Sequence, residues 1–158
     1  MKTVRRRRQE GKTDYKARLA LLISEKPRLI VRKTNRYVIA QIVRTEIAQD
    51  KVVVGTTSKV LLSKGWPSEL SGSLKSLGAA YLTGFFLGKE SIKKGVKEAI
   101  LDMGMHPHVA NSRIYALLKG AVDAGLKVPH SDEVLPKMEN IKTDKIAKIF
   151  DKIAGGKE

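Results

Sequence analysis

Cysteine is absent from the chain, which excludes disulfide staples, thiolate metal sites and cysteine nucleophiles together and suits a reducing compartment, the cytoplasm. Acidic residues are scarce beside basic ones: 16 Asp or Glu against 31 Lys or Arg leave a formal net charge of +15 over 158 residues. Long apolar runs are missing as well. The longest, residues 77–88, carries Gly and Thr inside it and falls short of the ~20 residues needed to span a bilayer. The N-terminus is charged with no apolar stretch close behind, so neither a secretory leader nor a membrane partner is expected. There is no P-loop, no dinucleotide-binding glycine pattern after a strand and no Gly-x-Ser-x-Gly, so no cofactor and no small-molecule substrate is expected.

What the chain does have is concentrated at one end. Residues 1–36 hold 13 Lys or Arg and three Asp or Glu, a formal charge of +10. A balance of this size implies a polyanionic partner, because cations clustered on one polymer release the counterions condensed on another. The order of residues matters more than the count: a polar basic arm, a short apolar segment, then a strand with further cations. Residues 1–16 lack apolar periodicity and cannot bury enough surface to offset the entropy of ordering. They are expected to take shape only on a partner. Leu19, Leu21, Leu22 and Ile23 suggest a short helix that docks the root of this arm, ended before Pro27.

Beyond the arm, residues 28–33 and 37–46 read as strands rich in Ile and Val, with Thr34, Asn35 and Arg36 as the hairpin turn between them. A second turn over 48–51 and a third strand over 52–57 complete an antiparallel meander. Residues 60–73 are punctuated by Gly65, Pro67 and Gly72. Residues 77–94 have helical periodicity, and Gly84 and Gly88 on that helix imply close approach to the sheet. Residues 96–103 read as a short strand and 104–111 as loop. Ser112 is a plausible N-cap for a helix over 113–124, ended by Gly125. Residues 126–136 are extended and proline-bounded, and 143–154 form a last amphipathic helix. Strand, helix, strand and helix after a meander predict an α/β sandwich on a mixed sheet, with the parallel strand beside the meander. From Ser131 onward six basic residues balance six acidic ones, so the polyanion's main contact lies elsewhere.

The chemistry follows the charge. Arg5, Arg6, Arg7 and Arg8 form a dense set of guanidinium forks for phosphate oxygens. Lys12 adds a point charge, Thr13 a hydroxyl, Tyr15 a ring able to stack on a base, and Arg18 carries the charge into the apolar segment. The same run would serve a localisation signal or a nonspecific tail. Arg32, Lys33 and Arg36 can hold phosphates while Asn35 reads a base edge or ribose; an Asn in a tight turn equally serves backbone geometry. His106 and His108 flank Pro107, but no cluster completes a metal site. The carboxylates Asp50, Asp102, Asp123 and Asp132 are scattered, whereas a nuclease needs several converging on metal ions.

The stretches RRRRQEGKTDYKAR, PRLIVRKTNRYVIAQI, GAAYLTGFFLGK, ILDMGMH, and RIYALLKGAVDAGL followed by PHS together resemble the universal 5S-rRNA-binding protein of the large ribosomal subunit, the L-eighteen family, in its archaeal and eukaryotic branch. The resemblance reaches to about Pro136. It implies an RNase-H-like α/β core without nuclease activity; the chain then divides into a basic arm over 1–18, a 5S-rRNA-binding core over 19–136 and, beyond the resemblance, a C-terminal amphipathic helix over 137–158. It implies a structural role on the ribosome, holding 5S rRNA against large-subunit rRNA in the central protuberance among neighbouring ribosomal proteins. Arg5, Arg6, Arg7, Arg8, Lys12, Thr13, Tyr15 and Arg18 match the family's RNA-embedded segment; Arg32, Thr34, Asn35, Arg36 and Gln41 match its RNA-facing hairpin. Ser112 and Arg113 fall where the family begins its second helix near rRNA. A metal-dependent nuclease on the same fold and a sequence-tolerant basic scaffold are the alternatives.

Overall fold

The computed structural model of the chain describes residues 3–47, 49–142 and Phe150. In chain order they form a helical turn α1 (Arg6–Gln9), a helix α2 (Tyr15–Ile23), strands β1 (Arg28–Lys33), β2 (Val38–Glu46) and β3 (Gln49–Thr57), a turn α3 (Val60–Ser63), the long helix α4 (Leu77–Lys93), strand β4 (Ile100–Asp102), helix α5 (Arg113–Asp123) and a turn α6 (Met138–Ile141). The sheet runs in the order β3-β2-β1-β4. Its first three strands are antiparallel and β4 lies parallel to β1, so the expected mixed sheet with packed helices is present.

Alternation decides which side of the sheet is covered. Leu29 and Val31 of β1, with Val38, Ala40 and Ile42 of β2, are buried in one cluster with Ala80 and Leu87 of α4 and Ile114, Leu117, Leu118 and Ala121 of α5. Arg28, Ile30 and Arg32 alternate with that set and take the other face. Both long helices therefore sit on one layer. A Leu29→Ala change in this core costs about 2–5 kcal/mol. A register shift after Ile42, which pairs Val43 with Val52 and leaves Val53 over, bends the β2 and β3 ribbon.

Gly84 and Gly88 do approach another element closely, but it is α5 and not the sheet. A β-carbon on Gly84 would overlap the carbonyl of Leu117, and one on Gly120 would overlap the carbonyl of Tyr81. One on Gly88 would stand 2.7 Å from the Ala124 β-carbon. The two helices thus meet backbone to backbone. A second cluster on α4, built from Leu61, Trp66, Leu74, Ala79, Tyr81, Leu82, Ile141 and Phe150, ties in the irregular segment after β3. Phe150 lies 5.2 Å from the Tyr81 ring; the rest of the amphipathic helix expected over 143–154 is outside the described residues.

Three boundaries differ from the sequence-based expectations. The helix expected from Leu19 starts at Tyr15, because Asp14 caps it by accepting from the Lys16 and Ala17 amides at 2.9 and 3.2 Å. It crosses the 18/19 boundary drawn between arm and core. The third strand begins at Gln49 rather than 52, since Thr45 pairs with Asp50 and Glu46 with Gln49, and the turn tightens around Ile47 at φ 57°. The strand expected over 96–103 is only Ile100–Asp102, preceded by a single bridge from Glu98 to Lys127.

Candidate nucleic-acid interface

The arm has local structure of its own where none was expected. Arg6–Gln9 form one helical turn with no buried residue. It closes with the Gly11 amide on the Arg8 carbonyl (3.1 Å) and the Lys12 amide on the Arg7 carbonyl (2.8 Å). That closure requires a left-handed residue, and Gly11 supplies it at φ 62°. Arg7 Nε donates to Thr13 Oγ1 at 2.9 Å, so Thr13 orients an arginine. The Arg5 guanidinium lies 4.6 Å above the Tyr15 ring, which is partly exposed. Arg6 and Lys12 approach Glu10 at 3.6 and 2.8 Å, exposed pairs of little energetic weight. Arg8 is exposed.

The hairpin between β1 and β2 divides its candidates by role. Thr34 Oγ1 accepts from the Arg36 and Tyr37 amides at 3.3 and 2.9 Å and donates to the Tyr37 carbonyl at 3.0 Å, so its hydroxyl shapes the turn. Asn35 and Arg36 project from that turn, and Lys33 is exposed beside it. Gln41 is not at the tip but in mid-strand, paired with Ile30 on the helix-free face and close to where a Gly55 side chain would stand. Arg32, on that same face, donates from Nη1 to the Val31 and Asp102 carbonyls (both 2.8 Å) and from Nη2 to Asp102 Oδ1 (2.9 Å).

Ser112 begins α5 as expected, yet its hydroxyl is buried without a hydrogen-bond partner and does not cap the helix; Arg113 beside it is exposed. Because β4 is parallel to β1, the hairpin, the loop 103–111 and the start of α5 share one end of the sheet. His106 belongs to this end. Its Nε2 accepts from the Lys33 amide at 3.3 Å, and burial, helped by the charges of Lys33 and Arg32, holds its pKa below the usual 6.5. The arm roots at the opposite end, where Arg18 Nη2 reaches Asp50 Oδ2 at 2.9 Å.

Asp50 is the outer member of a network the sequence did not betray. Arg28, whose side chain is 1% exposed, donates from Nη2 to Asp50 Oδ1 at 2.6 Å and from Nη1 to Asp102 Oδ2 at 2.8 Å. Arg28 also reaches Thr45 Oγ1 at 3.1 Å. Asp102 Oδ1 takes Arg32 and the Gly104 amide, each at 2.9 Å. Burial alone would raise the Asp50 pKa, but bonds from Arg18, Arg28 and Thr45 outweigh it and the net shift is downward. The only sequence hint was an arginine opening a strand of buried residues.

Of the carboxylates a nuclease would need together, Asp50 and Asp102 are bridged by the Arg28 guanidinium, and Asp123 and Asp132 have other partners. Asp102 holds two arginines, Asp123 accepts from the Tyr81 hydroxyl at 2.8 Å, and Asp132 lies 3.7 Å from His130. His108 packs edge-on against Tyr115 at 5.2 Å, apart from the His106 contact. Among the described residues no group of three or more His, Asp or Glu is placed to hold a metal ion, and no helix is long and apolar enough to cross a membrane.

The family model described as ribosomal large subunit proteins 60S L5 and 50S L18 matches residues 1–98 and 89–131. The chain is 50% identical over 148 residues to large ribosomal subunit protein uL18 of Korarchaeum cryptofilum, covering 94% of this chain and 74% of that one. The protein of the same name from Methanothermobacter thermautotrophicus is 46% identical over 141 residues, 89% of this chain and 71% of that one. That from Methanospirillum hungatei is 43% identical over 150 residues, 95% and 83%.

Proposed function

The chain belongs to the family of ribosomal large subunit proteins 60S L5 and 50S L18, and from that premise we propose that it binds 5S rRNA and attaches it to the large-subunit rRNA in the central protuberance. It is a structural constituent of the large ribosomal subunit and not an enzyme, associated with rRNA and other ribosomal proteins. Residues 1–18 act as the RNA-binding arm and the core over 19–136 presents the hairpin, while Ile141 and Phe150, beyond that core, pack against α4.

One observation carries the reading: the arm's arginines stand exposed on a turn that buries nothing. Such a turn has no packing role in the free chain. Arg5, Arg6, Arg7, Arg8, Lys12 and Arg18 supply phosphate contacts, with Tyr15 as a stacking platform and Thr13 as an aligner. At the far end of the sheet Lys33, Asn35 and Arg36 contact RNA directly, Thr34 shapes the turn that presents them, and Arg32 and Gln41 take the adjoining helix-free face. Ser112 and Arg113 stand at that same end and meet the large-subunit rRNA. The arm and the hairpin thus engage 5S rRNA while Ser112 and Arg113 meet the second RNA, which suits a protein that must hold one RNA against another.

A gel-shift titration at moderate salt tests this. The chain is expected to shift 5S rRNA and to leave tRNA unshifted. Equal displacement by duplex DNA would favour a sequence-tolerant basic scaffold instead.

A further inference from the structure

Arg18, Asp50, Arg28, Asp102 and Arg32 form an unbroken chain of alternating charge along the helix-free face of the sheet, joined by contacts of 2.9, 2.6, 2.8 and 2.9 Å. Its two end members are half-open to solvent, with side chains 35% and 38% exposed, while Arg28 at its centre is 1% exposed. The ends belong to different parts of the molecule. Arg18 is on α2 at the root of the arm; Arg32 is on β1 beside the hairpin. We propose that Asp50, Arg28 and Asp102 are positioning residues that fix Arg18 and Arg32 relative to each other, so that the arm and the hairpin engage one folded RNA in a preset geometry.

This deepens the assignment of the chain as a 5S rRNA binder and rests on it. The seating of Arg32 supports it independently. Three of its N–H bonds go to Val31 and Asp102, and the guanidinium lies so close to Gly104 that a β-carbon there would come within 2.8 Å of Arg32 Cζ. A cation meant only to attract phosphates needs no such seat. Arg28 is about 13 Å of strand rise from Arg32, and the two carboxylates it bridges come from β3 and β4, so the sheet itself is the ruler. Fixing a long side chain beforehand spares its ordering on association, which is where preorganisation gains affinity.

Asp50→Asn and Asp102→Asn distinguish positioning from plain electrostatics, because the two predict opposite signs. Removing an acidic group from an RNA-binding protein should tighten binding if charge alone mattered. Under the proposal each variant binds 5S rRNA about threefold to tenfold more weakly, with an unchanged salt slope since no cation is lost. Arg28→Lys, which keeps the charge but reaches only one carboxylate, should behave the same way. Binding as tight as or tighter than that of the unmodified chain overturns the inference and leaves the assigned function standing. Should a variant fail to fold, NMR of the unmodified protein decides: Arg28 and Arg32 are expected to show slowly rotating guanidinium groups and Arg8 and Arg36 freely averaging ones, and equal averaging overturns it. If the unmodified chain does not shift 5S rRNA, the assigned function falls and takes this inference with it.

Discussion

Replacing Arg5, Arg6, Arg7 and Arg8 with alanine removes four exposed cations from a turn that supports nothing else. None has a partner strong enough to withhold it from RNA: Arg6 lies 3.6 Å from Glu10 on an open surface, and Arg7 bonds only a hydroxyl. All four should therefore displace counterions on binding. At about 0.7 to 0.9 per phosphate, the slope of log affinity against log salt becomes shallower by about 2.8 to 3.6. Between about 50 and about 200 mM salt the unmodified chain should then lose about 50- to 150-fold more affinity than the variant. Alanine preserves helix propensity, so the melting temperature should not change and a folding defect is separable. Fluorescence anisotropy of labelled 5S rRNA across a salt series measures both slopes. Parallel lines for the two proteins would refute the arm's assigned role.

The remaining predictions concern the body. Gly84→Ala should destabilise by about 3 kcal/mol by forcing α4 off the Leu117 carbonyl, a fall in melting temperature of about 6–12 °C; Gly120→Ala should match it, and a melting point unchanged in both would mean the helices do not touch there. Asp50, whose folded pKa is lowered, contributes stability that is present above its unfolded value of 3.8 and is lost as pH falls through the folded value. The urea-midpoint gap between the unmodified chain and Asp50→Asn should thus narrow on acidification, and a gap constant with pH would contradict the network. His106, shifted downward by burial and by Lys33 and Arg32, should titrate in an NMR series below 6.5. Its contribution is present above 6.5 and fades as pH falls through the folded value; a midpoint at or above 6.5 would remove the contact with the Lys33 amide.

How much of this could be read from the residues depended on whether the signal was local. The β1 and β2 hairpin was legible because segments rich in Ile and Val stand on both sides of Thr34-Asn35-Arg36. The start of α5 was legible from Ser112 and that of α4 from its periodicity. The start of α2 was available in Asp14 but was masked by the polar composition around it. At β3, Gln49, Asp50 and Lys51 have turn chemistry, and pairing with Glu46 and Thr45 overrode it. The partner of Gly84 was assigned to the wrong layer, since small residues announce a close approach without saying to what. The Arg28 network was out of reach: it needs β1 beside β4, with Ile30 opposite Asp102, and a β2 and β3 turn that brings Asp50 back. Of the candidate interface, the exposed cations were therefore visible and the groups that hold two of them in place were not.

Gly11 carries a consequence for how the molecule meets its partner. It stands at φ 62° with nothing within 4 Å, so a methyl group there would strike no atom and would still disfavour the torsion by about 1 kcal/mol. The direction in which four guanidinium groups leave the body turns at that backbone angle and is steadied across it by Arg7 on Thr13 and Arg5 on Tyr15. A small rotation at the joint swings the whole quartet through an arc, as a rudder post turns a blade, and the heading of the arm is chosen where the chain has the least matter.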